Sequence, residues 1–288
     1  MKKSVVYILS TDYAGSHWLS LLLGSHSRTM HLGEIKRLKK PLGKQGVICT
    51  ACQDSGSCPV MSGIGPENLD SLYDIIFSRI DPQKEVLVDV SKTIHGWADL
   101  FLGNEAYQRK YIHLIRDPRA LVRRYRLTGS INRDIARRRE IFRQRRTFGL
   151  GMAFSMDRNL VCACYWLAEN QGITRFIHEN HLDAMSVTYE DLARDTGREL
   201  QRLMEWIGLP YEPAQLEYWN VKHHGTQKET YNWVKEQKTR YFDLRWKEFL
   251  SEQEQGHIAR DPRITRYLVE QQLELLADGL TRHTRAVV

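Results

Sequence analysis

The sequence predicts an α/β protein in three layers, with a mostly parallel central sheet and helices on both faces. Three observations carry that expectation. Apolar runs at Val5–Leu9, Val86–Val90, Tyr111–Ile115 and Met185–Thr188 lack the in–out alternation of half-exposed strands and read as strands buried on both faces. Longer stretches of helical spacing separate the runs, as parallel connections require. The first and third runs each end in a turn that opens directly into a helix.

Taken in order, Val5–Leu9 enters a turn containing Gly15, and the helix pattern continues through Trp18, Leu19, Leu22 and Leu23. Such a turn directs the first N–H groups of the helix outward at the positive end of its dipole, a geometry that holds phosphate or sulfate. Gly15 lets the backbone approach the anion closely, and Ser10, Thr11 and Ser16 add hydroxyl donors. The Gly-Lys-Ser/Thr ending of the usual P-loop is absent. The segment EVLVDVSK (85–92) ends on Ser91-Lys92. In YIHLIRDPRALVRRYR (111–126), Pro118 suits the first helical position, which leaves Arg116 at the strand's carboxyl end. Ligands of open parallel sheets sit outside those ends. An anion turn, a lysine and an arginine on three of them suit a ligand with more than one phosphate.

With these residues in view, the chain resembles the sulfotransferases that use 3′-phosphoadenosine 5′-phosphosulfate (PAPS), and is most similar to a bacterial branch related to carbohydrate sulfotransferases. The resemblance runs over almost the whole chain. Tyr13-Ala14-Gly15-Ser16-His17-Trp18-Leu19 resembles the family's P-loop-like 5′-phosphosulfate-binding turn. Gly33-Glu34, the excursion Cys49, Cys52 and Cys58-Pro59, and Asp89-Val90-Ser91-Lys92 follow in the family's order. So do Arg116-Asp117-Pro118-Arg119, the pair Trp166 and Asn170, Tyr189-Glu190-Asp191-Leu192, and Gly208-Leu209-Pro210.

The resemblance implies that residues 13–18 and Arg116 hold PAPS or its product PAP, with Arg124 on the 3′-phosphate and Tyr189 against the adenine. It also implies in-line transfer of the sulfuryl group to an acceptor hydroxyl of a carbohydrate or related metabolite. Glu34 would be the base and Lys92 the electrostatic partner of the sulfate. Two positions depart from the pattern. Tyr13 stands where the family carries arginine or lysine, and Arg124 where it carries serine. Arginine suits a phosphate well. The cation missing at Tyr13 would have to come from Lys92, Lys36, Arg37 or the later basic segment, Gln227–Arg245, which resembles a loop closing over the nucleotide. Without it, the chain would be a catalytically impaired PAP/PAPS-binding protein of the same fold. A nucleotide-dependent kinase or a nucleic-acid-binding protein is the remaining alternative.

Composition bounds these readings. The 288 residues, 42% of them hydrophobic, suit one sulfotransferase-like domain spanning 1–288. It carries a Cys-containing excursion (about 36–66) and an Arg-rich helical insertion (about 129–157). The net charge of +7 gathers in the arginines between Arg116 and Arg146 and in Lys36-Arg37-Leu38-Lys39-Lys40. This pattern attracts anionic ligands, the cosubstrate and an acceptor that is itself anionic among them. Nucleic acid is disfavoured, since no recognition module surrounds the arginines. Asp12, Gly15, Ser16 and His17 break the apolar run after the N-terminal lysines, so the start reads as a strand rather than a signal peptide. No stretch reaches the length of a membrane span, and five cysteines make no even disulfide framework; a cytoplasmic protein is expected. Cys49-x2-Cys52-x5-Cys58 has the spacing of a zinc knuckle short of one ligand, for which His31 or Cys162 is a candidate; the glycines and Pro59 around it read instead as a loop that forms a structural lid or wall, and no metal site is assigned.

Overall fold

Every side chain of the first strand, β1 (Ser4–Ser10), is buried, which places it at the centre of a sheet covered on both sides. A computed structural model of the chain describes residues 2–40, 48–53, 57–226, 234–237 and 242–283. After β1 come α1 (Ser16–Gly24) and β2 (Thr29–Gly33), then α2 (Leu72–Arg79), β3 (Val86–Asp89) and β4 (Gln108–Ile115). The chain continues through α3 (Pro118–Thr128), α4 (Ile131–Arg143), α5 (Arg145–Phe148) and α6 (Arg158–Glu179), then β5 (Ala184–Thr188), α7 (Tyr189–Arg194) and α8 (Thr196–Ile207). Helices at Trp246–Phe249, Glu252–Ala259 and Pro262–Glu270 and an antiparallel pair, β6 (Leu273–Leu276) and β7 (Gly279–Arg282), close it.

The main sheet has the order β2-β3-β1-β4-β5, and each neighbouring pair is parallel. The expected α/β class, and all four expected strands, are present. The side chains divide by the period of two that a strand imposes. Val5, Tyr7 and Leu9 pack with α2, Phe101, Phe176 and the Cys excursion. Val6 and Ile8 pack with α1 and α8 on the other face. A third cluster joins α3, α6 and the C-terminal helices, and takes in Ile141, Phe148 and Ala153 of the Arg-rich segment.

The sequence reading missed β2. Its five residues, Thr-Met-His-Leu-Gly, carry no apolar run, yet all are buried. Tertiary position overrides propensity here: the strand pairs with β3 on one side and accepts the Thr226 N–H at its Leu32 carbonyl (3.1 Å) on the other.

The order places β1 between β3 and β4, where the chain switches from building one side of the sheet to building the other. That switch is where open parallel sheets bind ligands. The carboxyl ends of β1, β3 and β4 lie side by side there and lead to the Gly15 turn, Ser91-Lys92 and Arg116. Of the late basic segment, Lys228, Lys238 and Arg240 lie outside the described residues. Among the described residues, no helix is long and apolar enough to cross a membrane.

Candidate active site

Backbone chemistry shapes the turn after β1. Tyr13 and Gly15 both have left-handed φ values, 67° and 95°. A Cβ on Gly15 would lie 2.5 Å from the Tyr189 ring, so the position needs glycine for space as well as for φ. Gly15 caps α1 without a side-chain hydrogen bond, and the first helical bond runs from Leu19 N–H to the Gly15 carbonyl (3.2 Å). The amides of Ser16 to Trp18 therefore precede any donor of the helix ladder and face its open end. Ala14, Ser16, His17 and Trp18 are all buried at this turn. The Trp18 indole N–H, the Ser10 hydroxyl and the Arg116 Nε have no hydrogen-bond partner among the described residues. Buried donors left over at one turn fit an anionic ligand that would complete them.

Glu34 follows β2 and is brought against the same turn. Its Oε1 accepts hydrogen bonds from His17 Nε2 (3.2 Å) and Lys92 Nζ (3.0 Å), and its Oε2 accepts one from Arg37 Nε (3.1 Å). The side chains of Glu34 and Lys92 are 11% and 10% exposed. Burial pushes the Glu34 carboxyl up, but the His17 and Lys92 bonds and charges outweigh it and hold the group well below the usual carboxylate range. The carboxylate is thus ionised at neutral pH, and the contacts that depress it must loosen before it can serve well as a base. The turn residue His17 touches it directly.

Lys92 reaches Glu34 because β3 ends in a tight network. Asp89, fully buried, accepts from Ser91 N–H (2.8 Å), Ser91 Oγ (2.5 Å), Tyr73 Oη (2.9 Å) and Trp97 Nε1 (2.7 Å). The Ser91 hydroxyl also accepts from the Lys36 amide (3.1 Å). Locked in this way, the chain holds Lys92 at φ 63°, a sparsely populated conformation for a non-glycine residue that costs about 1–3 kcal/mol. That conformation directs Nζ to Glu34, with Asp12 Oδ1 of the turn 3.9 Å away. The Lys36 ammonium donates to Thr93 Oγ1 (2.6 Å).

Arg116 lies at the end of β4 as the sequence predicts. Its carbonyl accepts the Trp166 indole N–H (2.9 Å), and Asn170 ties α6 to the sheet through His113 (3.0 Å). The Arg116 guanidinium donates to the Tyr13 carbonyl and to Asp243 Oδ2, both at 2.8 Å, and lies 4.2 Å over the Tyr189 ring. Asp243 also pairs with Arg245 (2.7 Å), so two arginines share one carboxylate there. Arg119 instead folds back on its own cap, Asp117 (2.7 Å), and on the Trp246 ring.

At Tyr13 the structure assembles what the sequence did not reveal. Exposed Arg124 places its guanidinium 4.7 Å from the centre of the Tyr13 ring. Arg133, at the start of α4, donates to the Tyr13 hydroxyl (3.3 Å). Two cations from α3 and α4 thus converge where the family pattern has one. Arg133 stood in the sequence as one arginine among many, and only the α3–α4 turn singles it out. Elsewhere on α4, Arg137 is buried over Tyr125 and Arg138 pairs with Asp134, so part of this charge is structural.

For the cysteines the sequence reading needs correction in one respect. Cys49, Cys52 and Cys58 do converge, but the fourth potential ligand is His224. His31 is buried in a 2.5 Å hydrogen bond with Ser20 Oγ, and Cys162 lies in the α6 core.

A cavity of about 390 Å³ opens beside Glu34, lined by Lys36, Arg37, Lys39, Lys40, Thr93, Gly96 and Trp97. An anion turn and a buried carboxylate–lysine pair at the sheet switch point, with a basic cavity lined by the segments after β2 and β3, suit a protein that binds anionic ligands. Residues 100–270 match the sulfotransferase domain model, and the chain belongs to that family. Among solved structures it is similar to the sulfotransferase domain of the curacin biosynthetic pathway. The identity is 20% over 89% of this chain and 96% of the other, with a TM-score of 0.52, a likeness of fold. The sulfotransferase domain of the Synechococcus PCC 7002 olefin synthase is 18% identical over 75% of this chain and 76% of its own, with a TM-score of 0.46. Mouse sulfotransferase SULT7A1, solved with PAP, is 12% identical over 94% of this chain and 89% of its own, with a TM-score of 0.45. No curated protein sequence matches the chain.

Proposed function

We propose that the chain moves the sulfuryl group of PAPS to an acceptor hydroxyl, with Glu34 taking the hydroxyl proton. The observation that carries this reading is the contact of Glu34 with both His17 of the anion turn and Lys92 of the β3 end. An ionised base and a cation there flank the space in front of the turn amides, as in-line transfer at sulfur requires. The Ser16 to Trp18 amides and the Ser16 hydroxyl hold the 5′-phosphosulfate. Lys92 leaves Glu34 for the sulfuryl oxygens, freeing the carboxylate to face the acceptor. Arg133 balances the charge on the leaving phosphate through the Tyr13 hydroxyl. Arg116 and Arg124 take the 3′-phosphate side, and Tyr189, one face under Arg116, borders the adenine.

The lysines and arginine lining the cavity beside Glu34 favour an acceptor that carries its own negative charge, a carboxylated, phosphorylated or sulfated sugar or related metabolite. Calorimetric titration separates the cosubstrate classes: PAP should bind and ATP should not. Binding of ATP in preference to PAP overturns the reading. A panel of hydroxyl compounds with and without an anionic substituent then tests the acceptor. The charged members should be preferred, and Lys39→Ala should erase the preference.

A further inference from the structure

We propose that Cys49, Cys52, Cys58 and His224 form a closed structural zinc site that pins the Cys excursion to the segment after residue 220, beside the strand that leads to Glu34. The assignment does not depend on the reaction or the cosubstrate.

Four ligand atoms, the three sulfurs and His224 Nδ1, lie within 4.8 Å of one another. The sulfurs of Cys49 and Cys52 are each 3.6 Å from Nδ1, and that of Cys58 is 3.5 Å away. Hydrogen bonding does not explain three equal distances to one atom, because a ring nitrogen has one hydrogen or one lone pair. A tetrahedral metal does. Zinc bonds of about 2.3 Å to sulfur and about 2.0–2.1 Å to nitrogen give S···N edges of about 3.5–3.6 Å. Three thiolates and one imidazole are the donor set of closed structural zinc sites, with no position left for water or substrate.

The surroundings fit a metal knuckle. All three cysteines are free of disulfides, and Cys49 and Cys58 are fully buried. The Met61 amide donates to Cys58 Sγ (3.4 Å), the kind of second contact that orients a thiolate ligand. The ligand loops are also cross-tied through their backbones. Thr50 N–H donates to the Gly225 carbonyl (2.7 Å), and Thr226 N–H to the Leu32 carbonyl of β2 (3.1 Å). Close approach demands glycine on both sides. A Cβ on Gly225 would meet His31 Nε2 at 2.7 Å, and one on Gly33 would meet the Thr226 amide at 2.7 Å. The knot therefore ends one residue from Glu34. His224 is separated from Cys58 by 166 positions, so a metal here closes a long loop and contributes its binding free energy to folding.

Metal content decides the matter without an activity assay. Full-length protein, purified without chelator from zinc-supplemented cells, should carry about one zinc per chain by mass spectrometry. Cobalt exchanged into it should show the visible bands of a tetrahedral thiolate site. His224→Ala and Cys52→Ser should each lose the metal, and His224→Cys, which keeps four ligands, should retain it. For the native chain, a strong chelator should lower the melting temperature and added zinc should restore it, a readout that does not require any variant to fold. Wild-type protein with no stoichiometric zinc, or a His224→Ala protein that keeps its full complement, overturns the proposal.

Discussion

Replacing Glu34 by glutamine isolates the base from everything else the residue does. Glutamine keeps the size and one carbonyl oxygen, so Lys92 at 3.0 Å and His17 at 3.2 Å retain an acceptor, but the proton has nowhere to go. Loss of general base catalysis lowers turnover by about 10²–10⁴-fold, or about 2.7–5.4 kcal/mol of barrier. The same change leaves Lys92, 10% exposed, with only the exposed Asp12 at 3.9 Å as counter-charge, and breaking a buried ion pair costs up to about 3–5 kcal/mol of stability. A melting curve must therefore accompany the rate. Single-turnover transfer from labelled PAPS, measured with the variant shown to be folded at the assay temperature, is the appropriate assay. Affinity for PAP should hardly change, because the proposed role puts the carboxylate on the acceptor side. A folded Glu34→Gln protein within about threefold of the wild-type rate refutes the assignment.

Three further outcomes are expected. Arg116→Ala should weaken PAP by about 1.5–3 kcal/mol, about 10- to 140-fold, and weaken the analogue lacking the 3′-phosphate less; equal losses for the two ligands would contradict the assignment. Arg133→Ala should slow turnover by about tenfold, and Tyr13→Lys in that background should restore it, since a lysine in the turn replaces the cation delivered from α4; no rescue would separate Arg133 from the leaving group. Glu190, buried and beside Asp117, is pushed up to about 8 from 4.5. The folded protein then binds more protons than the unfolded chain between those values, so stability should fall as pH rises through that window. Glu190→Gln, which can still accept the Asp117 N–H (3.1 Å in the native chain), should flatten the slope seen in denaturant titrations from pH 5 to 8; an unchanged slope would place the titration elsewhere.

Where burial on both faces selects for unbroken apolar sequence, the strand was legible, as β1, β3 and β4 show; β5 was found too, but it is an edge strand whose Ala184–Ser186 are only partly buried, not the doubly buried strand that its apolar run predicts. β2 was not legible, because Thr29 and His31 are buried by polar contacts that no linear pattern shows. In the site, the sequence pointed to Gly15, Lys92 and Arg116 through a turn or a strand end, but to Glu34 only through the Gly-Glu pair of the family resemblance, because the strand before it was not recognised. Arg133 and His224 could not be read. One is chosen from a run of arginines by the angle between two helices, and the other lies far along the chain from the cysteines it joins. The φ of Lys92 is likewise a product of the Asp89 network rather than of any local preference of lysine.

The central claim is that the Gly15 turn, Glu34 and Lys92 together transfer a sulfuryl group from PAPS. Incubating ³⁵S-labelled PAPS with cell extract and wild-type, Glu34→Gln or Lys92→Ala protein tests it most directly. Label should pass to an acceptor with the wild type and drop sharply with both variants, while all three still bind PAP. Wild-type protein that binds PAP but never moves the label, or variants that move it undiminished, would contradict the account.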